Sequence, residues 1–249
     1  MKILLDAGHG AGVAHNRGGL CFNEGDNNYY YSLVLKTELE KYEGVKVDLT
    51  RYKITDNPSL TSRSAMGAGY DLFLSLHSNA ADKSVRGTEI FDSVERKNKA
   101  LADEIVKEIS KLFNHNNRGT KYKEGQPGHN WYGVLRLNKA KSAMIIEHGF
   151  HTNQIDCSFF KDNHKLIAST TSKVIAKYYN LKLKSQEGWI KNNTGWWYQN
   201  VDGSYPKSEW QKIGGKWYYF DSKGYMVTGW IELSGKWYHL KSSGEMSIG

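Results

Sequence analysis

The stretch Lys2-Ile-Leu-Leu-Asp-Ala-Gly-His-Gly10 decides the reading of this chain. Ile3, Leu4 and Leu5 form an apolar run too short for a helix. It stops at Asp6 and a glycine-flanked histidine, as a buried strand does where it opens into a loop. Gly8 and Gly10 remove two Cβ atoms beside His9, so the backbone can turn sharply and the imidazole can project. A strand end suits a metal ligand, because the strand fixes the position and the loop gives access. A lone histidine here is more often an ordinary hydrogen-bonded loop residue, so a metal needs partners elsewhere. A phosphate loop is disfavoured, since Gly8-His-Gly-Ala-Gly12 carries no lysine and no helix pattern follows it directly.

The same texture recurs along the chain. Segments 45–51, 71–77, 87–91 and 143–147 read as strands, one ending in His77 and another in Glu147-His148-Gly149-Phe150. Apolar residues at helical spacing predict helices over 27–42, 60–68, 101–112 and 165–179, while 114–138 reads as a loop. Strands alternating with helices predict an α/β fold, a mainly parallel sheet flanked by helices. Ligands gather at the carboxyl ends of strands in such sheets, and His9, His77 and Glu147 all fall there.

Two imidazoles need a carboxylate to make a catalytic zinc set that keeps one position open. Glu24, Asp6 and Glu147 are the candidates. Glu24, in a Gly- and Asn-rich loop before the first helix, can reach back toward His9, whereas Asp6 suits the orientation of a loop or ligand. Arg63 and Arg136 are expected on the surface or against a helix. His15, His115, His129, His151 and His164 are expected in solvent, with His129 best placed to line a substrate groove.

From Gly188 the texture changes. Trp189, Trp210 and Trp230 are spaced by 21 and 20, and Trp197, Trp217 and Trp237 by 20 and 20. Tyr198, Tyr218 and Tyr238 keep the second step, and Gly203, Gly224 and Gly244 the first. This is a repeat of Gly-punctuated aromatic hairpins, and one such hairpin cannot bury its faces alone, so a small solenoid is expected. The chain therefore divides into 1–183 and 184–249.

Lys and Arg number 34 against 26 Asp and Glu, a balance of 34 − 26 = 8. That suits a polyanion, which could be nucleic acid, anionic lipid or a cell-wall polymer, but the charge is spread thinly, which argues against nucleic acid. Cys21 and Cys157 make neither a disulfide framework nor a Cys-rich zinc site, and fit synthesis in a reducing bacterial cytoplasm. The N-terminus lacks the basic region and apolar core of a signal peptide, and no transmembrane segment is evident. If the protein works outside the membrane, something else must let it out.

Asp6-Ala-Gly-His-Gly10, Glu24-x-x-x-Asn28, Ser75-Leu-His-Ser-Asn79 and Ile146-Glu147-x-Gly-Phe150 resemble, in order and spacing, the motifs of a known family. It is the zinc-dependent N-acetylmuramoyl-L-alanine amidases often called amidase type 3, found in bacterial autolysins and phage endolysins. The resemblance covers about residues 1–181. It implies zinc (Zn2+) as cofactor, His9, Glu24 and His77 as its ligands, and Glu147 as the catalytic carboxylate. It implies peptidoglycan as substrate, cut at the amide between muramic acid and L-alanine, with Glu147 relaying a proton from the attacking water to the departing nitrogen. Ala7 stands where the family commonly has proline, and His148 falls at a position the family varies, so it carries no implied role.

In the tail, Gly215-Lys-Trp-Tyr-Tyr219 and Thr228-Gly-Trp230 resemble the choline-binding repeats of Gram-positive wall proteins. This implies choline-bearing teichoic or lipoteichoic acid as a partner. Trp189, Trp197, Trp210, Trp217, Trp230, Trp237 and Tyr238 are then the candidates for aromatic cages around a quaternary ammonium. The first unit is degenerate, with Gly203-Ser-Tyr-Pro206 where Gly-x-Met is usual.

The leading reading is a wall-lytic amidase with a targeting tail, released as a phage endolysin, with an exported autolysin second. Two other classes stand beside it. One is a non-catalytic wall-binding protein with a decayed amidase domain, against which the intact His9, Glu24, His77 and Glu147 set argues. The other is a zinc peptidase acting on the stem peptide. Host and oligomeric state are left open.

Overall fold

The computed structural model describes residues 1–11, 18–95, 97–185 and 187–247. The chain forms two compact units, Met1–Lys182 and Leu183–Gly249. His15 lies outside the described residues.

The first unit is built in the order β1 (Lys2–Ala7), α1 (Glu24–Leu39), β2 (Lys46–Leu49), α2 (Leu60–Ala65), β3 (Leu72–Asn79) and β4 (Thr88–Asp92). It continues with α3 (Lys99–Phe113), β5 (Asn117–Lys121), α4 (Gly133–Arg136), β6 (Ala143–Phe150), α5 (Gln154–Asp162) and α6 (His164–Tyr178). The sheet order is β2-β1-β3-β6-β4-β5. β2, β1, β3 and β6 run parallel, while β4 lies antiparallel to β6 and parallel to β5. The segment between β3 and β4 holds no helix, and without a crossover helix β4 returns in the opposite sense. The fold class is the one expected, a mostly parallel sheet flanked by helices.

Strand parity divides the apolar residues between two cores. Ile3 and Leu5, Leu72, Leu74 and Leu76, and Met144 and Ile146 point to one face, where they pack with Leu35, Leu39, Ile105, Ile109, Ile167 and Ile175 of α1, α3 and α6. Leu4, Phe73, Ala143 and Ile145 point to the other, beneath the short α4 with Val134 and Leu135. The second face is more thinly covered, and it leaves room for a cleft at the carboxyl ends of the strands.

Four elements depart from the sequence reading. β5 reads Asn-Arg-Gly-Thr-Lys, with no alternation to announce it, and exists because the edge of β4 offers hydrogen-bond partners. α4 has 4 residues and falls below any helical period. α5 is capped by Asn153, whose side chain accepts from the N–H groups of Ile155 and Asp156. α1 begins at Glu24, three residues ahead of the expected start, so Glu24 belongs to the first helical turn.

The second unit consists of three antiparallel hairpins: β7 (Gly188–Lys191) with β8 (Trp196–Gln199), β9 (Glu209–Ile213) with β10 (Lys216–Phe220), and β11 (Gly229–Leu233) with β12 (Lys236–Leu240). The last two close through pairs with positive φ, Gly214 at 57° and Gly215 at 83°, then Ser234 at 52° and Gly235 at 77°. That is the type I′ geometry that matches strand twist. Successive units are laced together, since the Met226 N–H donates to Trp196 O (2.7 Å) and the Met246 N–H to Trp217 O (2.8 Å).

This lacing corrects the register of the repeat. Trp189 pairs with Tyr198, Trp210 with Tyr219 and Trp230 with His239. The counterpart of Trp217 and Trp237 in the first hairpin is therefore Trp196, and Trp197 corresponds to Tyr218 and Tyr238. The spacing that aligned Trp197 with Trp217 was displaced by one residue, because the first interval of the repeat is 21 rather than 20.

Leu74, fully buried in β3, tests the larger core. Leu74→Ala is expected to lower stability by about 2–5 kcal/mol, read as a drop in the urea midpoint at unchanged m-value.

Candidate metal centre

Each part of the site is placed by a different element. His9 follows β1 with φ at 64°, a left-handed conformation uncommon for a residue with a Cβ and frequent at functional sites. Gly8 makes the close approach possible, since a Cβ there would overlap the His77 imidazole. The Gly8 N–H donates to Leu76 O (3.0 Å), which ties this loop to the end of β3. Glu24 enters from the first turn of α1, whose Gly25 carbonyl accepts from the fully buried Arg51 (2.8 Å).

Glu24 lies at the centre. Its carboxylate is 3.0 Å from His77 Nδ1 and 3.1 Å from His9 Nε2, and it accepts the Ser78 N–H at 3.0 Å. Burial raises its pKa, but the hydrogen bonds to His77 and His9 outweigh burial and leave the group well below the ordinary carboxylate range. The two imidazole rings meet edge to face, 4.9 Å between centroids. His9, Glu24 and His77 each offer a ligand atom within 4.8 Å of the others, a grouping able to hold a metal ion.

A cleft of about 490 Å³ opens above the three. Glu147 lines it from β6, beside His77 in the parallel register. Its Oε2 is buried without a hydrogen-bond partner. Burial, then the charges of Glu24 and Glu89, hold the Glu147 carboxyl well above the usual carboxylate range. Glu89, directly across on β4, is paired with Arg118 (2.7 Å) and Lys121 and accepts from Asn79 Nδ2 (2.7 Å). One residue on, His148 points to the opposite face. There it is fully buried beside Tyr31 and Phe160, and burial drives its pKa down to about 3.

Several residues fall elsewhere than expected. Arg63 is buried at the cleft and pairs with Asp6 (3.2 Å), which also accepts from Thr50 (2.8 Å) and Ser75 (2.6 Å). Asp6 thus orients the end of β1 and does not join the three. His151 is buried and lines the cleft, its Nδ1 3.0 Å from both the Ser78 carbonyl and hydroxyl and 3.9 Å from Glu24. His115 is enclosed between Thr88 (2.7 Å) and Asp156 (3.0 Å), and His164 bonds Asn27 (3.0 Å). His129 is exposed, as is Arg136, which donates to the Asn130 and Trp131 carbonyls. Local pattern carried no signal for Arg63 or His151, whose partners lie 57 and 73 residues away.

In the tail, Trp189 and Trp210 are half-buried, edge to face on Tyr218 (4.8 Å) and Tyr238 (5.2 Å) of the following hairpins. They knit the stack together. Trp197 packs against Tyr205 (5.6 Å). Trp196, Trp217, Trp230 and Trp237 are exposed.

An α/β protein with two histidines and one carboxylate grouped so that they could hold a metal ion, under an open cleft, is the class this architecture defines. A family model described as N-acetylmuramoyl-L-alanine amidase matches residues 3–177, and a choline-binding repeat model matches residues 207–249. The chain belongs to the N-acetylmuramoyl-L-alanine amidase family, whose members hydrolyse peptidoglycan. N-acetylmuramoyl-L-alanine amidase CwlM of Bacillus licheniformis is 29% identical over 187 residues, 73% of this chain and 70% of that protein. The structure of Cwp6 from Clostridium difficile is similar at a TM-score of 0.64 and 28% identity, over 71% of this chain and 29% of that one. The catalytic domain of the CD27L endolysin targeting Clostridia difficile is similar at 0.59 and 25% identity, over 71% of this chain and 97% of that one.

The role of Gly8 is open to test. Gly8→Ala is expected to displace the His77 ring and weaken affinity for added zinc by about 10–100-fold in titration calorimetry, as loss of a ligand's support does.

Proposed function

We propose that His9, Glu24 and His77 hold a zinc ion and that Glu147 is the catalytic carboxylate of a peptidoglycan amidase. The observation that carries this reading is the convergence of the three donors beneath a cleft that also receives Glu147. The donor set fits zinc: two imidazoles, one carboxylate held ionised, and an open side. When bound, zinc supplies a Lewis acid that activates water and polarises a carbonyl.

The chain's own residues do the rest. Glu147 takes a proton at its unpartnered Oε2 from the attacking water and returns it to the departing L-alanine nitrogen. With a dication held by His9, Glu24 and His77, the charge of Glu24 would be offset and Glu147 would ionise more readily, as this step requires. Glu89 is held to Arg118 and Lys121, and so stays a fixed charge. The Ser78 N–H holds Glu24, and His151 in turn bonds Ser78.

For the tail, the reading is attachment to choline on teichoic or lipoteichoic polymers, supported by the repeat match and by the exposed indoles of Trp217, Trp230 and Trp237. Choline has no donor on its cationic head, so aromatic faces are its natural partners. Trp196 joins the candidates through the corrected register, and Trp189, Trp197, Trp210 and Tyr238 wall the seams. The residues 1–183 are then the catalytic part and 184–249 the targeting part. Among the described residues no helix is long and apolar enough to cross a membrane. The likeness to an endolysin domain supports lysis of a wall reached through a breached membrane.

Metal content, turnover and wall retention test these readings. Zinc is expected to copurify and be lost in a His9→Ala, His77→Ala double variant. Glu147→Gln is expected to keep the metal while turnover falls by about 10²–10⁴-fold. Loss of metal in that variant makes Glu147 a ligand instead. The full chain is expected to bind choline-bearing wall and to be released by free choline. Trp217→Ala should weaken retention by about tenfold, well beyond Tyr205→Ala. Retention on choline-free wall in the presence of choline assigns the tail to a different polymer.

A further inference from the structure

Two further cavities lie beside residues of the cleft above the three donors. One, beyond His9 and Leu60, is lined by Gly10, Asn57, Pro58 and Ser59. The other, about 700 Å³, is lined by Gly125, Gln126, His129, Asn130, Trp131 and Arg136. Trp131 belongs to this second cavity, while the next two residues, Tyr132 and Gly133, line the central cleft.

The segment that presents Trp131 is rigidly built. Gln126-Pro127-Gly128-His129 closes as a turn, with the His129 N–H donating to Gln126 O (2.9 Å) and Gly128 at φ 75°. Proline followed by a left-handed glycine is the type II pattern. The Gly125 N–H donates to His129 O (3.0 Å) and the Trp131 N–H to Lys123 O (2.8 Å), so the two arms pair. Arg136 Nη1 clamps the Asn130 and Trp131 carbonyls, each at 2.9 Å, and Asn130 Oδ1 accepts the Val94 N–H (2.8 Å). On this fixed support the Trp131 indole remains 54% exposed, although Lys123 Nζ sits 4.6 Å from its centroid. A large, rigid and half-open aromatic side chain beside a reaction cleft is a contact surface held ready.

We propose that this pocket is a subsite for the glycan strand, which seats an N-acetylated amino sugar against Trp131. The inference rests on the amidase reading, in which a sugar lies on one side of the scissile amide and a peptide on the other. Of these two cavities, among the described residues, only this one is lined by an indole. A pyranose offers a face of C–H bonds that stacks on an indole. Its acetamido and hydroxyl groups need the donors and acceptors that Gln126, His129 and the free amide nitrogen of Asn130 provide. No carboxylate lines the pocket, so nothing there repels the carboxyl of a muramic residue released from its peptide.

The test uses the full zinc-loaded chain on two substrates. One is peptidoglycan strands stripped of teichoic polymer, which removes the ligand of the tail. The other is a single N-acetylmuramoyl peptide. Trp131→Ala is expected to raise KM on the strands about tenfold, with kcat within about twofold, and Trp131→Phe to recover most of the loss. On the single-sugar substrate wild type and variant should agree. A second readout needs no turnover: peptide-free N-acetylglucosamine–N-acetylmuramic acid tetramers, titrated calorimetrically, should bind the Glu147→Gln chain and lose that binding when Trp131→Ala is added. Unchanged KM on the strands overturns the subsite. An equal rise on the single-sugar substrate also overturns it, because Trp131 then touches the peptide or the muramic residue itself. If wild type releases no alanine-terminated peptide from either substrate, the amidase reading fails, while the tetramer titration still decides the subsite.

Discussion

The buried carboxylate of Glu24 is the constraint around which the catalytic unit is arranged. It is 2% exposed, and an ionised carboxylate taken out of water costs several kcal/mol unless it is paired and hydrogen-bonded. The partners come from two other segments: His9 after β1, and His77 with the Ser78 N–H at the end of β3. None of these is near Glu24 in the chain, so their convergence requires β1 and β3 side by side and α1 aimed at their ends. Gly8 permits the approach, and Arg51 holds the first turn of α1. The grouping that could hold a metal ion is thus prepared by the same contacts that satisfy the charge.

The other carboxylates of the site divide by how completely they are satisfied. Asp6 accepts from Thr50, Arg63 and Ser75, and Glu89 from Arg118, Lys121 and Asn79. Such groups are fixed charges that lock strand ends together. Glu147 keeps one oxygen without a partner at the edge of the cleft. An unsatisfied buried acceptor is costly in a purely structural residue, and its persistence here suits a group that exchanges protons with a substrate. Parity then separates neighbours of similar chemistry. Glu147 faces the cleft, while His148, one step along the same strand, is sealed in the apolar core and stays neutral.

The tail follows a different logic. Its hairpins bury little by themselves, and stability comes from each aromatic strand leaning on the next, as Trp189 does on Tyr218 and Trp210 on Tyr238. The tryptophans therefore fall into two kinds, those that knit the stack and those left open to a ligand. Spacing along the chain does not distinguish them, because the two kinds share the same period.

The sequence by itself determined the strand and helix alternation, the histidines and glutamates at strand ends, and the aromatic repeat. These are properties of local period and composition, which physical chemistry ties to one conformation without reference to distant residues. Only the tertiary structure decided that Glu24 opens α1, that Arg63 and His151 are buried at the cleft, and that β5 forms at the sheet edge. It alone set Trp196 as the counterpart of Trp217. In each case the deciding partner lies far away in the chain: Asp6 for Arg63, Ser78 for His151, and Met226 for Trp196. Hydrogen bonds and burial between distant segments leave no periodic trace, so they become visible only when the chain has folded back on itself.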